Sequence, residues 1–134
     1  MNRTKKYKAL SLMEVLVTLV IIGILTLIAM PALMPLIANA KSTEAKIQLG
    51  HVLKLQKLYR YSNSKYSKEL SAIGFEQGKL VDQDGNANYE ISIESATLNS
   101  FTAKATAIVD FDGDGNFNVW MIDQDNKLEE ILPD

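Results

Sequence analysis

The chain has 134 residues, of which 47% are hydrophobic, with 14 basic and 16 acidic side chains, one histidine and no cysteine. This length accommodates one small domain and excludes a large multidomain enzyme. The lack of cysteine excludes a disulfide framework, a thiolate nucleophile and a thiolate-bound metal, and a single histidine argues against a histidine triad or a multi-histidine metal site.

The near-neutral total charge conceals two oppositely charged halves. Residues 1–81 carry 12 basic and 4 acidic side chains, whereas residues 82–134 carry 2 basic and 12 acidic ones. The net charges of the two halves are therefore +8 and -10. This asymmetry predicts either contact with two different environments or an interaction within the protein's own assembly.

The first element in chain order is an apolar segment. Residues 15–40 are 26 consecutive uncharged residues, most of them Leu, Ile, Val, Met and Ala, and about 20 such residues suffice to span a bilayer as a helix. Basic side chains without any acidic one precede this segment, at Arg3, Lys5, Lys6 and Lys8. The positive-inside rule therefore predicts that residues 1–9 stay in the cytoplasm and that the C-terminal part is exported.

An ordinary secretory signal peptide is the alternative interpretation, because Ala38-Asn39-Ala40 has the pattern of a signal-peptidase site. Three features favour an uncleaved anchor instead. The apolar run is longer than the hydrophobic region of a typical signal peptide, Pro31 and Pro35 interrupt it, and the carboxylate of Glu14 lies at its start. The next basic residue after Glu14 is Lys41, so Glu14 needs a partner from elsewhere, unless it reaches the lipid headgroups or is protonated.

Residues 8–31 resemble the class III signal and N-terminal helix of type IV pilins and pseudopilins. The shared features are a short basic leader, a small residue before the cut, glutamate as the fifth residue after it, and Gly23 and Pro31 at the family's usual positions. The resemblance implies that a prepilin peptidase cuts between Ala9 and Leu10, and that Leu10 becomes the N-methylated first residue. It also implies a filament in which Glu14 faces the terminal ammonium of a neighbouring subunit, which neutralises a charge in an apolar core.

The stretch from Gly23 to Pro31 is predicted to be the weakest part of the helix. Glycine lowers helix stability by about 1 kcal/mol relative to alanine, and proline removes a backbone hydrogen bond. The resemblance implies that this stretch unwinds when the subunit leaves the membrane, and Pro35 adds a further break. A membrane helix that is only kinked is the alternative, and it explains the prolines equally well.

From Ser42 the pattern becomes that of an amphipathic helix which ends near residue 62. Its predicted apolar face comprises Ile47, Val52, Leu55, Leu58 and Tyr59, and its predicted basic face comprises Lys46, Lys54, Lys57 and Arg60. A solvated surface is one interpretation of the basic face. The others are a DNA-binding surface, which nothing in the sequence specifically indicates, and a contact with the acidic half of another subunit.

The remainder of the chain predicts a small antiparallel sheet. Strand patterns occupy residues 89–93, 101–109, 117–122 and 128–132. The predicted fold class is α+β and pilin-like: a long N-terminal helix, kinked near the prolines in its membrane half, packs against this sheet. The predicted segments are a cleaved leader (1–9), a transmembrane and polymerisation helix (10–38), an amphipathic helix (39–62) and a globular β-sheet domain with acidic loops (63–134).

One acidic loop has the composition of a calcium site. Asp110, Asp112, Asp114 and Asn116 alternate with other residues and glycines, as in the first half of an EF-hand loop. Met121 stands where an EF-hand requires glutamate, so Asp123 and Asp125 are candidates for the missing ligands. A polar hairpin turn is the alternative. Like-charge repulsion and the lack of a disulfide favour Ca²⁺, and the major pseudopilins of type II secretion resemble this arrangement.

The sequence therefore predicts a structural subunit and not an enzyme, because no nucleophile, base or phosphate-binding loop accompanies the acidic cluster. The expected partners are further copies in a helical filament, the bacterial inner membrane before assembly, a prepilin peptidase and an assembly platform. The expected location is a cell-surface pilus or a periplasmic type II secretion pseudopilus. A soluble periplasmic Ca²⁺-binding module, released by an ordinary signal peptidase, is the alternative.

Overall fold

A computed structural model describes residues 9–134. The basic side chains of the predicted leader up to Lys8 lie outside the described residues. The chain divides into two compact units, and the boundary falls between Leu33 and Met34.

The first unit consists mainly of the start of helix α1, which spans Leu12–Asn63 as one element. Two reciprocal hydrogen bonds define where this helix begins. The hydroxyl of Ser11 accepts the Glu14 N–H at 3.2 Å, and the carboxylate of Glu14 accepts the Ser11 N–H at 3.2 Å. This is a capping box, which satisfies two backbone donors at the start of the helix.

Helix α1 is continuous through Gly23, Pro31 and Pro35, so none of these residues ends it in this structure. Each proline removes a single N–H donor, and the hydrogen bonds of the neighbouring turns hold the helical conformation. The expectation of a helix broken around the prolines is therefore wrong for this conformation of the single subunit. Unwinding on departure from the membrane stays a prediction.

The second unit contains the remainder of α1 and a four-stranded antiparallel sheet in the order β1-β2-β3-β4. The strands are β1 Tyr89–Ala96, β2 Phe101–Ala107, β3 Val119–Asp123 and β4 Leu128–Leu132, and a short 3₁₀ helix, Val81–Gln83, precedes them. One helix and one antiparallel sheet confirm the predicted α+β, pilin-like fold class.

Buried and more exposed residues alternate along the strands, so that one face of the sheet lies in the core. In β1 the buried positions are Tyr89, Ile91 and Ile93, and in β2 every second residue from Phe101 to Ala107 is buried. The helix contributes Ala45, Leu49 and Val52 to the same cluster of buried side chains. The outer strand β4 is mostly exposed and carries Glu129 and Glu130, and charged side chains of this kind discourage pairing with another sheet.

The buried face of α1 matches the predicted one in part: Val52 is buried, and Leu55 and Tyr59 are half-buried against the core. The buried positions are Ser42, Ala45, Leu49, Val52, Leu53 and Gln56, whereas Ile47 is 65% exposed and Leu58 is 62% exposed. Two polar residues and an alanine form part of the buried face, so large apolar side chains alone predict this face incompletely. Lys46 of the predicted basic face is exposed, and its Nζ lies 4.3 Å from the centre of the Trp120 ring on β3.

Buried polar contacts attach α1 to the loops that precede the sheet. The amide of Gln56, which is fully buried, donates to the Ser67 carbonyl at 2.6 Å and accepts from the Ser67 N–H at 3.0 Å. Near the start of the unit, the Glu44 carboxylate accepts from the Asn88 backbone and side chain at 2.8 and 2.7 Å. These bonds determine which segments of the loop lie against the helix.

Candidate functional site

The predicted processing site lies just before helix α1. Ala9 and Leu10 are exposed and non-helical, and Leu10 is 77% exposed. A peptidase needs access to an extended backbone, so the peptide bond between them has a suitable environment. Glu14 follows on the first turn of the helix, where its carboxylate already caps the Ser11 N–H.

The capping box corrects one inference from the sequence. Glu14 has no basic partner in its own segment, but it does have a local hydrogen-bond partner in Ser11. The pattern Ser-x-x-Glu at residues 11–14 was the signal that the sequence analysis missed. One carboxylate oxygen of Glu14 bonds to Ser11, which leaves the other oxygen to accept a second donor.

The first part of α1 has the length and apolar character needed to cross a membrane, and none of its most apolar 18-residue window is buried in the described protein. Large side chains such as Leu16, Ile24 and Leu27 are more than half exposed. A water-soluble domain rarely exposes a continuous apolar surface of this size. This exposed helix is therefore suited to lipid or to contact with other apolar helices.

The predicted metal ligands divide into two groups. Asp110 and Asp112 converge with Asp134, and one carboxylate oxygen from each lies within 4.8 Å of the others. Asp114 instead accepts from the backbone and side chain of Asn116. Asp123 accepts the N–H groups of Asp125 and Lys127, so it stabilises the turn between β3 and β4.

Asp134 is a carboxylate that the sequence analysis did not assign to this cluster. Residues 110 and 134 are far apart in sequence, and nothing in the local pattern pairs them. The contact arises because β4 returns beside β3, after which the Asp134 carboxylate accepts the Phe111 N–H at 3.1 and 3.3 Å. Only the tertiary fold therefore reveals the cluster.

The carboxylates of the loop have physically different environments. Asp110 accepts the N–H groups of Gly113 at 2.6 Å and Gly115 at 2.8 Å, and these bonds, foremost that of Gly115, lower its pKa. Partial burial raises the pKa of Asp134, with a further contribution from the negative charges of Asp112 and Asp110. Backbone donors thus offset part of the repulsion that had favoured calcium.

The donor set nevertheless fits a hard cation in chemistry and spacing. Calcium takes six to eight oxygen ligands at about 2.3–2.6 Å, so two oxygens on opposite sides of the ion lie roughly 5 Å apart. Asp110, Asp112 and Asp134 satisfy that spacing, and their three carboxylates are fewer than a full shell. Main-chain oxygens or water would complete the coordination.

A hydrogen-bond network centred on a buried asparagine lies next to the acidic loop. Asn118 is 2% exposed, accepts the Tyr89 hydroxyl proton at 2.7 Å, and donates to Glu130 at 2.7 Å and to the Leu132 carbonyl at 3.0 Å. Burial of Tyr89, together with the nearby negative charges of Asp134, Glu44 and Glu130, raises the pKa of its hydroxyl well above the usual value. The tyrosine therefore stays neutral and donates.

A cluster of cations lies where α1 ends. Lys57 and Arg60 line a hollow with Tyr61, Tyr66 and Asn99, and Lys65 and Lys68 line a neighbouring groove of about 480 Å³ that shares Tyr66. We call these four cations the basic end. All four are exposed, and Tyr61 is 86% exposed beside them. Two carboxylates, Glu69 and Asp125, line the same hollows, so the surface keeps a net positive charge.

The side chain of Arg60 is held in place. Its guanidinium donates to the Asn99 side-chain oxygen at 3.2 Å and to the Tyr66 hydroxyl at 3.4 Å, and lies 5.1 Å from the centre of the Tyr66 ring. Arg60 had been predicted as part of a helix stripe. The fold instead groups it with Lys65 and Lys68 of the following loop and with Asn99 of the β1–β2 turn.

Comparison with known families identifies the class of protein. A family model described as "Prokaryotic N-terminal methylation motif" matches residues 4–30, and a model described as "Type IV minor pilin ComP, DNA uptake sequence receptor" matches residues 31–116. No curated protein matches the chain. Since the second model covers more than half of the chain, the chain belongs to this family of type IV minor pilins.

This membership confirms the predicted resemblance to type IV pilins. Pilin families consist of structural proteins that assemble into filaments, which agrees with the prediction of a structural subunit. The methylation motif and the exposed apolar helix agree with a membrane-anchored precursor. Type II secretion and calcium have no counterpart in the two family descriptions, and they stay predictions.

Proposed function

We propose that this chain is a subunit of a type IV pilus that a prepilin peptidase cuts between Ala9 and Leu10, that is methylated at Leu10, and that assembles through helix α1. The observation that carries this proposal is the exposed apolar start of α1, preceded by an accessible non-helical peptide bond. Lipid covers this surface before assembly, and the helices of neighbouring pilin subunits cover it in the filament. The platform that drives assembly acts on the membrane-anchored form.

Intact mass and N-terminal sequencing of the native protein test the processing step. Removal of residues 1–9 leaves 125 of the 134 residues, beginning with methylated Leu10. The alternative, a secreted module cut after Ala40, would leave 94 residues beginning with Lys41. Recovery of the shorter product from the periplasm would refute the pilin processing.

The assembly step depends on Glu14 in this proposal. Glu14→Gln keeps a side-chain oxygen for the capping box but removes the charge that attracts a neighbouring subunit's ammonium. We expect the variant to be cleaved and to remain in the membrane, with a several-fold lower content in sheared filaments. Thr26→Val, at another exposed position of the same helix, serves as the control. Equal filament content in Glu14→Gln and wild type would contradict the role of Glu14.

The family description supports a second part of the proposal, that the exported domain binds DNA. The basic end combines four exposed cations with exposed Tyr61, and cations supply the phosphate contacts that account for most non-specific affinity for DNA. The remaining acidic surface repels phosphate. The basic end is therefore the surface of this domain that is best suited to DNA.

Binding of a mixed-sequence DNA duplex to the detergent-solubilised full chain tests this part. Lys57→Gln/Lys65→Gln should weaken binding, whereas Lys41→Gln/Lys79→Gln removes two exposed cations outside the basic end and serves as the matched control. Equal weakening in both variants would indicate a response to net charge alone. Absence of any binding by the wild type at low salt would refute DNA binding.

Calcium binding is a further proposal, supported by the convergence of Asp134 with Asp110 and Asp112. Ca²⁺ bound to the folded state would raise the midpoint of thermal unfolding. The comparison is between the full chain with CaCl₂ and with EDTA, using Asp134→Asn as the test variant and Glu90→Gln, at an exposed position of β1, as the control. A midpoint that EDTA leaves unchanged would refute calcium binding.

A further inference from the structure

A hollow of about 270 Å³ lies where the end of α1 meets two turns of the sheet. Its lining includes Lys57, Arg60 and Tyr61 of α1, Asn99 of the β1–β2 turn, and Gln124 and Asp125 of the β3–β4 turn. Ligand pockets in proteins begin at roughly 300 Å³, so this hollow has room for a single ring system and not for a duplex. We call it the helix-end hollow.

The guanidinium of Arg60 presents a fixed set of donors in this hollow. One N–H donates to the Asn99 side-chain oxygen at 3.2 Å and another to the Tyr66 hydroxyl at 3.4 Å, and the group lies over the Tyr66 ring, 5.1 Å from its centre. A guanidinium carries more N–H groups than these two bonds use, so further donors are left for a ligand. Such a planar fork fits two adjacent acceptors of a flat partner.

The carboxylate of Asp125 presents acceptors in the same hollow. Gln124 donates to one of its oxygens at 2.9 Å, and the Asp125 N–H donates to the Asp123 carboxylate at 2.9 Å, so both the side chain and the backbone are held. The salt bridges in the described part of the chain include neither Asp125 nor Lys57 nor Arg60. An arginine and an aspartate that share a hollow without an ion pair complement a ligand that offers acceptors to one and donors to the other.

Guanine is the base whose edges match these two groups. Its O6 and N7 accept from an arginine fork, which is the commonest specific contact of a basic side chain with a base, and its N1–H and amino group donate to a carboxylate. Adenine has an amino group where guanine has O6, and an acceptor at N1, so both contacts would be repulsive. Cytosine offers the carboxylate a single amino donor. In a duplex, the N1–H and amino group of guanine already donate to cytosine, so only an unpaired guanine makes both contacts.

We propose that the helix-end hollow binds an unpaired guanine nucleotide. Arg60 donates to O6 and N7, Asp125 accepts from N1–H and the amino group, and Tyr61, which is 86% exposed at the hollow, stacks on the ring. Lys57 contacts the phosphate of the nucleotide. The inference rests on the proposed binding of DNA and deepens it, because a single strand or an unpaired strand end would place a guanine here while the lysines of the neighbouring groove hold the adjoining phosphates.

Fluorescence anisotropy with the detergent-solubilised full chain tests the proposal. The probe is a short labelled thymine strand with one guanine at its centre, compared with the same strand carrying adenine or cytosine there. We expect the guanine strand to bind several-fold more tightly than the other two, and to lose this advantage when annealed to its complement. Free dGMP and dAMP are added as competitors. Competition by dGMP alone shows that the base and one phosphate suffice, whereas a strand preference without competition by dGMP assigns the hollow to guanine within a DNA strand.

Asp125→Asn separates recognition of the base from general attraction of anions. If the hollow only attracts phosphate, removal of this negative charge strengthens the binding of every strand equally. In this proposal the guanine strand instead loses several-fold in affinity, and the adenine strand does not. Glu69→Gln, which removes an exposed carboxylate from the neighbouring groove, is the matched control and should keep the guanine preference. A preference that survives Asp125→Asn unchanged would overturn the inference.

Tyr61→Ser covers the case in which Asp125→Asn disturbs the turn. The ring of Tyr61 is almost fully exposed, so its removal costs the subunit little packing. It should lower the affinity for the guanine strand several-fold and leave the affinity for a duplex unchanged. An equal decrease for both kinds of DNA would contradict stacking on an unpaired base.

The outcomes distinguish this inference from the proposed function. Equal affinity of the wild type for the guanine, adenine and cytosine strands would overturn the guanine site and leave the binding of DNA intact. A wild type that binds neither single strands nor duplexes would refute the binding of DNA, and direct binding of dGMP and dAMP would then decide on the hollow alone. Equal binding of these two nucleotides would overturn the guanine site as well.

Discussion

At the scale of single residues, two buried amides contribute contacts that the hydrophobic pattern does not reveal. Gln56 and Asn118 are almost fully buried and make several hydrogen bonds each. A buried polar side chain is favourable only when its hydrogen bonds are satisfied, because an unpaired group keeps its full desolvation cost. These residues therefore specify particular loop positions as well as contribute to stability.

Gln56→Leu should lower the free energy of unfolding by about 2–4 kcal/mol, since it leaves both the N–H and the carbonyl of Ser67 buried and unpaired. Urea unfolding of the detergent-solubilised chain measures the change. Trp120 is the only tryptophan, so its fluorescence reports the sheet. Gln48→Leu, at a half-buried glutamine of the same helix, is the control, and an equal effect of the two substitutions would contradict the role of Gln56.

Asp134 should make the native state less stable at neutral pH than it is in mild acid. A pKa above the ordinary value means that the folded state binds the proton more tightly than the unfolded state. The contribution of Asp134 to the free energy of unfolding is fully present below the pKa of the unfolded state. It is lost as the pH rises through the pKa of the folded state. Asp110, whose pKa is lowered, acts oppositely, and its contribution is lost as pH falls through its folded pKa.

In EDTA, Asp134→Asn should therefore have a higher free energy of unfolding than the wild type at neutral pH, and the difference should shrink as the pH falls through the pKa of Asp134. Asp125→Asn, which removes an exposed carboxylate from the β3–β4 turn, serves as the control. A pH-independent difference between wild type and Asp134→Asn would show that the carboxyl does not titrate in this environment.

At the scale of elements, the orientation of α1 is the main difference between the predicted and the observed structure. Ser42, Ala45 and Gln56 are buried, whereas Ile47 and Leu58 are exposed. Exposed apolar residues on a subunit of a filament are available for contacts with other copies. The predicted apolar face of α1 therefore contains both residues that pack in the core and residues that the single subunit leaves exposed.

Leu49→Ala should lower the free energy of unfolding by about 2–5 kcal/mol, because Leu49 is fully buried and its truncation leaves a cavity. Ile47→Ala, two positions away but exposed, should change it by less than about 0.5 kcal/mol. Urea unfolding of the unassembled subunit compares the two. A larger loss for Ile47→Ala than for Leu49→Ala would support the orientation predicted from the sequence pattern.

At the scale of the whole molecule, the proposed cleavage would change the charge of the subunit. Removal of Arg3, Lys5, Lys6 and Lys8 leaves 10 basic and 16 acidic side chains, a balance of -6. If the chain is cleaved as proposed, the near-neutral total belongs to the precursor alone. Because such a subunit is acidic overall, the proposed binding of DNA depends on the local cluster of cations at the basic end and not on the net charge.

DNA affinity should consequently fall steeply with salt, and each phosphate contact that is lost should reduce the slope. Lys57→Gln is expected to lower the magnitude of the slope of log K against log[salt] by about 1. The control Lys79→Gln should leave the slope unchanged. Fluorescence anisotropy with a mixed-sequence duplex over a salt series provides the measurement, and identical slopes for both variants would contradict a phosphate contact at Lys57.

The sequence by itself determined the elements whose signals are local. The apolar run, the methylation motif, the end of α1 and the four strands each depend on neighbouring residues, so periodicity and composition were sufficient to predict the α+β fold. Residue patterns also identified Asp110 and Asp112 as members of an acidic cluster.

Only the tertiary structure decided how distant residues combine. Asp134 joins Asp110 and Asp112 because β4 pairs with β3, and Lys65 and Lys68 join Arg60 because the loop after α1 turns back past the β1–β2 turn. Gln56 likewise belongs to the buried face of α1 because its amide and the Ser67 backbone satisfy each other's hydrogen bonds. Contacts between residues that are distant in the sequence produce no local periodicity, so a local sequence pattern cannot predict them.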